Sequence, residues 1–269
     1  MLLQDIALRS SEGKKQTLRI IYEDQDILVI DKPPGIPVIP DRWDAQKLNA
    51  IDMLYSQIQK NSSTSEQKIW VVHRIDQDTS GLVIFAKNSE SHRILNRSFF
   101  SATVKKFYLA IVQGCPEKPD GRIDYALAPQ KKGRVLVDPT GKKAITIYRV
   151  VEKFSHYSVL EVNPVTGRTH QIRVHLTAIG HPLVVDPLYT AKTQFGISDL
   201  KRYARIPTEE VPALISRLTL HAMKLKIMHP ITKTEMEFTA EIPKDMQAIL
   251  KALRKWDSIK PGRKAYHPF

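Results

Sequence analysis

Between Leu18 and Lys32 the chain reads LRIIYEDQDILVIDK, two short apolar runs around an acidic turn, which predicts a strand, a turn and a second strand. KPPGIPVIP follows, and prolines on both sides of Gly35 predict an irregular extended segment. From Ala45 to Lys60 the residues Leu48, Ile51, Leu54, Tyr55 and Ile58 recur at helical spacing, so an amphipathic helix is expected, followed by the polar loop NSSTSEQ. In VVHRIDQDTSGLVIFAKN two apolar runs enclose a charged stretch, a hairpin pattern in which Thr79, Ser80 and Gly81 would make the tight turn and Gly81 would take positive φ. Ser89 is then placed to cap a helix running to about Ala102, with Ile94, Leu95 and Phe99 facing inward.

Further strands are expected at VKKFYLAIVQG, Ala144 to Val151 and Tyr157 to Val162. VTGRTHQIRVHLTAIGHP reads as a turn leading into a helix with Ile172, Leu176 and Ile179 on one face, closed by Gly180. LTLHAMKLKIMHP and TEMEFTAEIP alternate in the strand period, and Asp245 to Trp256 reads as a final helix. Strands and helices intersperse without a repeated βαβ rhythm. The expected class is α+β, with a mixed, mainly antiparallel central sheet and flanking helices. With no internal repeat and no clear linker, one domain over residues 1–269 is expected.

Composition agrees with a folded chain: 269 residues, 42% hydrophobic and 26% charged. The single cysteine, Cys115, excludes an intramolecular disulfide and a cysteine-based zinc site. No 18-residue apolar run and no leader pattern occur, so a cytoplasmic location without a membrane partner is expected. The formal net charge of +13 changes the picture more, because such a field attracts polyanions, nucleic acid first. Between Gln130 and Arg149 six Lys/Arg stand against one Asp, and LRKWDSIKPGRK near the C-terminus adds a second basic cluster. Either could track a phosphate backbone, although a charge run is more often just a solvated face.

Several chemistries fall away. His170 and His175 are five apart, about 140° around a helix, and do not converge as an i, i+4 pair would. Neither KPPGIP nor PTGKKA matches a phosphate-cradling loop, and Ser80 in DTSGL lacks the nucleophile-elbow pattern. The carboxylates remain. Asp76, two residues after Arg74, could be held ionised by the guanidinium and act as nucleophile or base at a sugar carbon, or it could simply form a turn hydrogen bond. Asp78 is assigned to a turn.

The string HRIDQDTSG resembles the HRLDxxTSG signature of the RluA-type family of RNA pseudouridine synthases, with Ile75 the one departure. IIYEDQDILVIDKPPGIPV, KKFYLAIVQG, TGRTHQIRVHLTAIGHPLVVDPLY and LTLHAMKLKIMHPITKTEMEFTAEIP resemble the family's other blocks in the same order, so the likeness spans about residues 18–243. It implies the pseudouridine synthase catalytic fold with a basic RNA-binding cleft. The implied reaction breaks the N-glycosidic bond of a uridine in structured ribosomal or transfer RNA, rotates the uracil and rejoins it through carbon 5, with no cofactor and no metal.

By matching positions, Asp76 would be the nucleophile or base, Tyr108 the ring that stacks on the target base, and Arg173 the basic partner of Asp76. Arg74 would fill the space vacated by the flipped base, and Leu220 would pack beneath it. Arg168 would bind phosphate or stabilise its turn. Only about 17 residues precede the first block, so no separate N-terminal RNA-binding module is expected. Lys131, Lys132, Lys142 and Lys143 are then the expected grip on RNA. Val185 and Thr190 stand where the family has glycines. The alternative on the same scaffold is an RNA-binding or RNA-folding chaperone.

Overall fold

The computed structural model describes residues 3–9, 15–41, 44, 47–61, 68–200 and 213–259. In chain order the elements are β1 Ile6–Arg9, β2 Lys15–Glu23, β3 Ile27–Lys32, α1 Ala50–Asn61, β4 Trp70–Val71, β5 Ser80–Ala86, α2 Ser89–Phe100, β6 Lys105–Gln113, β7 Asp120–Asp124, β8 Leu127–Pro129, β9 Val135–Val137, β10 Ile145–Lys153 and β11 Tyr157–Pro164. These are followed by α3 Gln171–Ala178, α4 Ile197–Leu200, β12 Leu220–Met228, β13 Glu235–Thr239 and α5 Lys244–Trp256. The chain forms two compact units, Met1–Lys106 with Ala222–Ala240, and Phe107–His221 with Glu241–Phe269.

In the first unit the sheet order is β1-β2-β3-β5-β12, with β4 beside β5 and β13 beside β12. The acidic turn joins β2 and β3 as an antiparallel hairpin, and the Asp24 carboxylate accepts from the backbone N–H of Asp26 and of Ile27 at 2.7 and 2.8 Å. β3 and β5 are continuous apolar runs with both faces covered. One face joins Leu95 of α2, Val104, Leu225, Ile227 and Phe238 in a single core cluster. Gly81, at φ +114, sits so close to the neighbouring strand that a Cβ there would lie 2.3 Å from the Ala222 carbonyl oxygen; only glycine fits.

Two local expectations shift. The residue capping α2 is Asn88, whose side chain accepts from Ser91 N at 2.8 Å, because the capping oxygen must reach three residues ahead to an orphan N–H. α1 begins at Ala50 after Asn49, whose side chain accepts from Asp52 N at 3.0 Å, and Leu48 lies outside it, half exposed; the expected start at Ala45 lies outside the described residues.

The second unit carries the antiparallel sheet order β6-β11-β10-β7 and the small β8-β9 pair. α3 is almost wholly buried, its Val174 meeting Leu127, Val135 and Ala144. It ends at Gly180, φ +82, with His181 N bonded to Leu176 O and Gly180 N to Thr177 O, the paired bonds of a Schellman cap. α5 packs Met246, Ile249, Leu250 and Leu253 inward and is tied at its start by a bidentate Arg217–Asp245 pair.

Candidate active site

The charged stretch of the opening hairpin is a loop between β4 and β5, which pair antiparallel through Trp70↔Ala86 and Val71↔Phe85. The tight turn falls at Asp76–Thr79, where Thr79 N bonds to Asp76 O at 3.1 Å, two residues earlier than the Thr-Ser-Gly string suggests. Ser80 and Gly81 already belong to β5. Sidedness follows: Ile75 and Thr79 are buried, Asp76 is half-buried, and Arg74 and Asp78 are exposed.

Three residues that sequence reasoning did not assign to this loop, Lys32, Gly35 and Lys47, hold it in place. Lys32 is fully buried, and its ammonium donates to the carbonyls of Pro33, Ile36 and Gln77 at 2.9, 2.7 and 2.8 Å. The same Gln77 carbonyl accepts from Gly35 N at 3.0 Å, and Lys47 Nζ donates to the Gln77 side chain at 2.9 Å. The residue next to Asp76 is therefore locked to the proline-rich segment from both sides. His73 Nε2 accepts from Ile84 N at 3.0 Å, and its ring stacks on Phe99 of α2 with centroids 4.5 Å apart. Desolvation, with the Lys106 charge second, pushes His73 down to about 3, so it stays neutral and keeps its acceptor. The Lys106 ammonium lies 5.9 Å from the Phe99 centroid, and burial pushes it down to about 8.

In the second unit Tyr108 lies nearly buried in β6, opposite Val162 of β11, and Leu220 is buried at the start of β12. Arg173, on the buried α3, makes a bidentate pair with Asp186, both hydrogen bonds at 2.8 Å. Its guanidinium also lies 5.0 Å from the centre of the Tyr189 ring. Asp186 further accepts from Leu188 N and Tyr189 N, while Tyr189 OH bonds His170 Nδ1 and Val135 N. Thr190, where the family has glycine, returns its hydroxyl to Asp186 O at 2.8 Å, and Val185 is fully buried. Asp186 is the partner that sequence reasoning missed; its VDPLY setting was the available signal.

The candidate RNA-gripping residues divide. Lys131, Lys142 and Lys143 are exposed, and the side chain of Lys132 lies outside the described residues. Arg168 Nε donates to Lys143 O at 3.1 Å, a bond between its turn and the segment just before β10. Part of the C-terminal cluster, from Lys260 on, also lies outside the described residues.

Asp24, Asp26 and His229 converge closely enough to suggest a metal site. Their atoms are already engaged. His229 Nδ1 accepts from Ile231 N and Thr232 N, which leaves Nε2–H to donate to Asp24 at 3.0 Å, and Tyr22 OH donates to the same carboxylate oxygen. Burial works against the Asp24 charge, but the N–H bonds from Ile27 and Asp26 outweigh it and hold the carboxyl below its ordinary range. The cluster staples the β2-β3 turn to the β12-β13 connection.

The model of the RNA pseudouridylate synthase family matches residues 26–178, which include this loop, β6 and the whole of α3. The chain belongs to that family. The ribosomal large subunit pseudouridine synthase D of Nitrosomonas europaea is 38% identical over 250 residues, 91% of this chain and 68% of the relative. Its namesake from Vibrio cholerae is 39% identical over 254 residues, 91% and 73% of the two chains. Among solved structures, human RNA pseudouridylate synthase domain containing 4 shares the fold with a TM-score of 0.69 at 23% identity, over 87% of this chain and 92% of that one. As a family member the chain is an RNA pseudouridine synthase, an isomerase. None of its described helices is long and apolar enough to cross a membrane.

Proposed function

We propose that this chain isomerises uridines in large-subunit ribosomal RNA, with Asp76 as nucleophile or base. The observation that carries the reading is the construction of the loop. A half-buried carboxylate sits between buried Ile75 and Thr79, and its neighbour Gln77 is locked through its backbone and side chain by Lys32, Gly35 and Lys47. A pre-set carboxylate is what attack at, or proton removal from, a sugar requires, since misplacement by an ångström is costly. The relatives' names favour ribosomal over transfer RNA.

In this reading Tyr108 supplies the ring against the base and Leu220 the apolar surface beneath it. Arg173, fixed by Asp186 and Tyr189, is the basic group that orients the reacting carboxylate, while exposed Arg74 takes the place of the extruded base. Both units are taken as one catalytic domain, since two of the three points where the chain passes from one to the other fall inside β6 and β12. No cofactor or metal takes part in the proposed reaction: the bond broken and the bond made join the same two fragments.

Neutralising Lys131, Lys132, Lys142 and Lys143 together is expected to flatten the salt dependence of RNA binding by roughly 0.7–0.9 in log-log slope for each phosphate that the protein no longer neutralises. An unchanged slope moves the RNA path elsewhere. Substrate identity is tested by mapping pseudouridine in total RNA from cells with and without the gene. A large-subunit site that disappears on deletion supports the proposal, and a missing transfer RNA site with intact ribosomal RNA contradicts it.

A further inference from the structure

α2 presents a face that the fold does not use. Leu95 and Phe99 point inward with Ser91, whereas Arg93, Arg97 and Phe100 fall at i, i+4 and i+7 and share the outer face. Phe100 is 94% exposed, the most exposed of the large apolar side chains described. An isolated surface apolar residue means little, but this one is flanked by arginines and stands at a helix end whose backbone is capped. Thr103 N bonds Ser98 O and Ala102 N bonds Phe99 O, a Schellman cap, while the hydroxyls of Ser101 and Thr103 bond Arg97 O and Ser98 O. Neither Arg93 nor Arg97 has an ion-pair partner among the described residues; the acid on the same face is Glu90, one turn before Arg93, and exposed Lys105 follows the cap.

We propose that Arg93, Arg97 and Phe100 form an accessory binding site for RNA next to the Asp76 loop, with Phe100 stacking on an unpaired base and the two arginines on the flanking phosphates. The inference rests on the RNA-modifying reading above. An aromatic face with cations one helical turn away is the arrangement that holds single-stranded nucleic acid, since every base has a π-face and every linkage a charge. Its place follows from the helix: Phe100 is the next residue after Phe99, whose ring stacks on His73, three residues before Asp76. A nucleotide held there flanks a target uridine at the loop, and the site orders the unpaired strand on one side of it. RNA is favoured over a protein partner because the surplus charge is positive and the chain modifies RNA.

The test uses the full-length protein with a large-subunit ribosomal RNA fragment carrying its modified site. Phe100→Ala is expected to weaken binding about tenfold, the equivalent of one base stack, while Phe100→Trp keeps it and gains tryptophan emission that RNA quenches. Arg93→Gln with Arg97→Gln should lower the salt slope by about 1.4. KM rises in both weakened variants while kcat stays within about twofold, and circular dichroism and melting temperature confirm folding. Wild-type affinity and slope in folded Phe100→Ala and double-arginine variants overturn the inference. Failure of the wild type to bind or modify any RNA would instead overturn the RNA reading on which it rests.

Discussion

Two buried cations anchor the proposed machinery, and they do it differently. Lys32, in the first unit, spends its ammonium on three backbone carbonyls, one of them at Gln77 beside Asp76. Arg173, in the second, spends its guanidinium on the Asp186 carboxylate and the face of Tyr189. A compact point charge can gather carbonyls from several directions, whereas a planar fork matches a carboxylate and stacks on a ring. The lysine therefore fixes the course of a loop, and the arginine fixes the orientation of a side chain.

The contrast predicts unequal costs. Lys32→Met takes the ammonium donor away from the Pro33 and Ile36 carbonyls, and should cost about 3–5 kcal/mol by urea unfolding. Arg173→Met leaves Asp186 with the backbone donors of Leu188 and Tyr189, and should cost less, about 2–4 kcal/mol, while removing most activity. Equal or reversed stability costs would break the comparison.

His73 has a folded value near 3, below its ordinary 6.5, so its contribution to stability is complete above about pH 6.5 and is lost as the pH falls from there toward 3. The loss approaches roughly 4–5 kcal/mol only at the acid end. His73→Gln retains an acceptor for Ile84 N without titrating, and should flatten the acid limb of a stability profile measured between pH 4 and 7. A limb unchanged in the variant assigns the acid sensitivity to other groups.

The smallest effect compares two helix ends with the same pair of capping bonds. α3 closes on Gly180 at φ +82 and α2 on Ala102 at φ +57, where a Cβ is strained. Ala102→Gly should raise stability by roughly 0.5–1 kcal/mol, measured by denaturant midpoint, and Gly180→Ala should lower it by at least as much. A destabilised Ala102→Gly would show that unfolded-state freedom outweighs the strain.

Much of this was legible in the sequence, for physical reasons that also mark its limits. Apolar periodicity located the strands around the loop and the inner face of α2, because both are decided by neighbours along the chain. HRIDQDTSG was legible as a charged interruption of a buried hairpin. The shift of its turn to Asp76–Thr79 was not, since Gly81 is drawn into β5 by pairing with Lys32 of β3 and by the close approach of Ala222, and Ser80 opens the same strand. Nothing in the sequence singles out Lys32, before two prolines, and only the folded Gln77 carbonyl, 45 residues on, reveals its use. Asp186 was hidden the same way, thirteen residues after the arginine it binds.

The most direct test of the central claim is pseudouridine formation by purified wild type and Asp76→Asn on a large-subunit ribosomal RNA fragment, with RNA affinity measured alongside. Product is expected from the wild type alone, with affinities within a few fold, because the carboxylate supplies chemistry more than grip. Full activity in the Asn variant would contradict it.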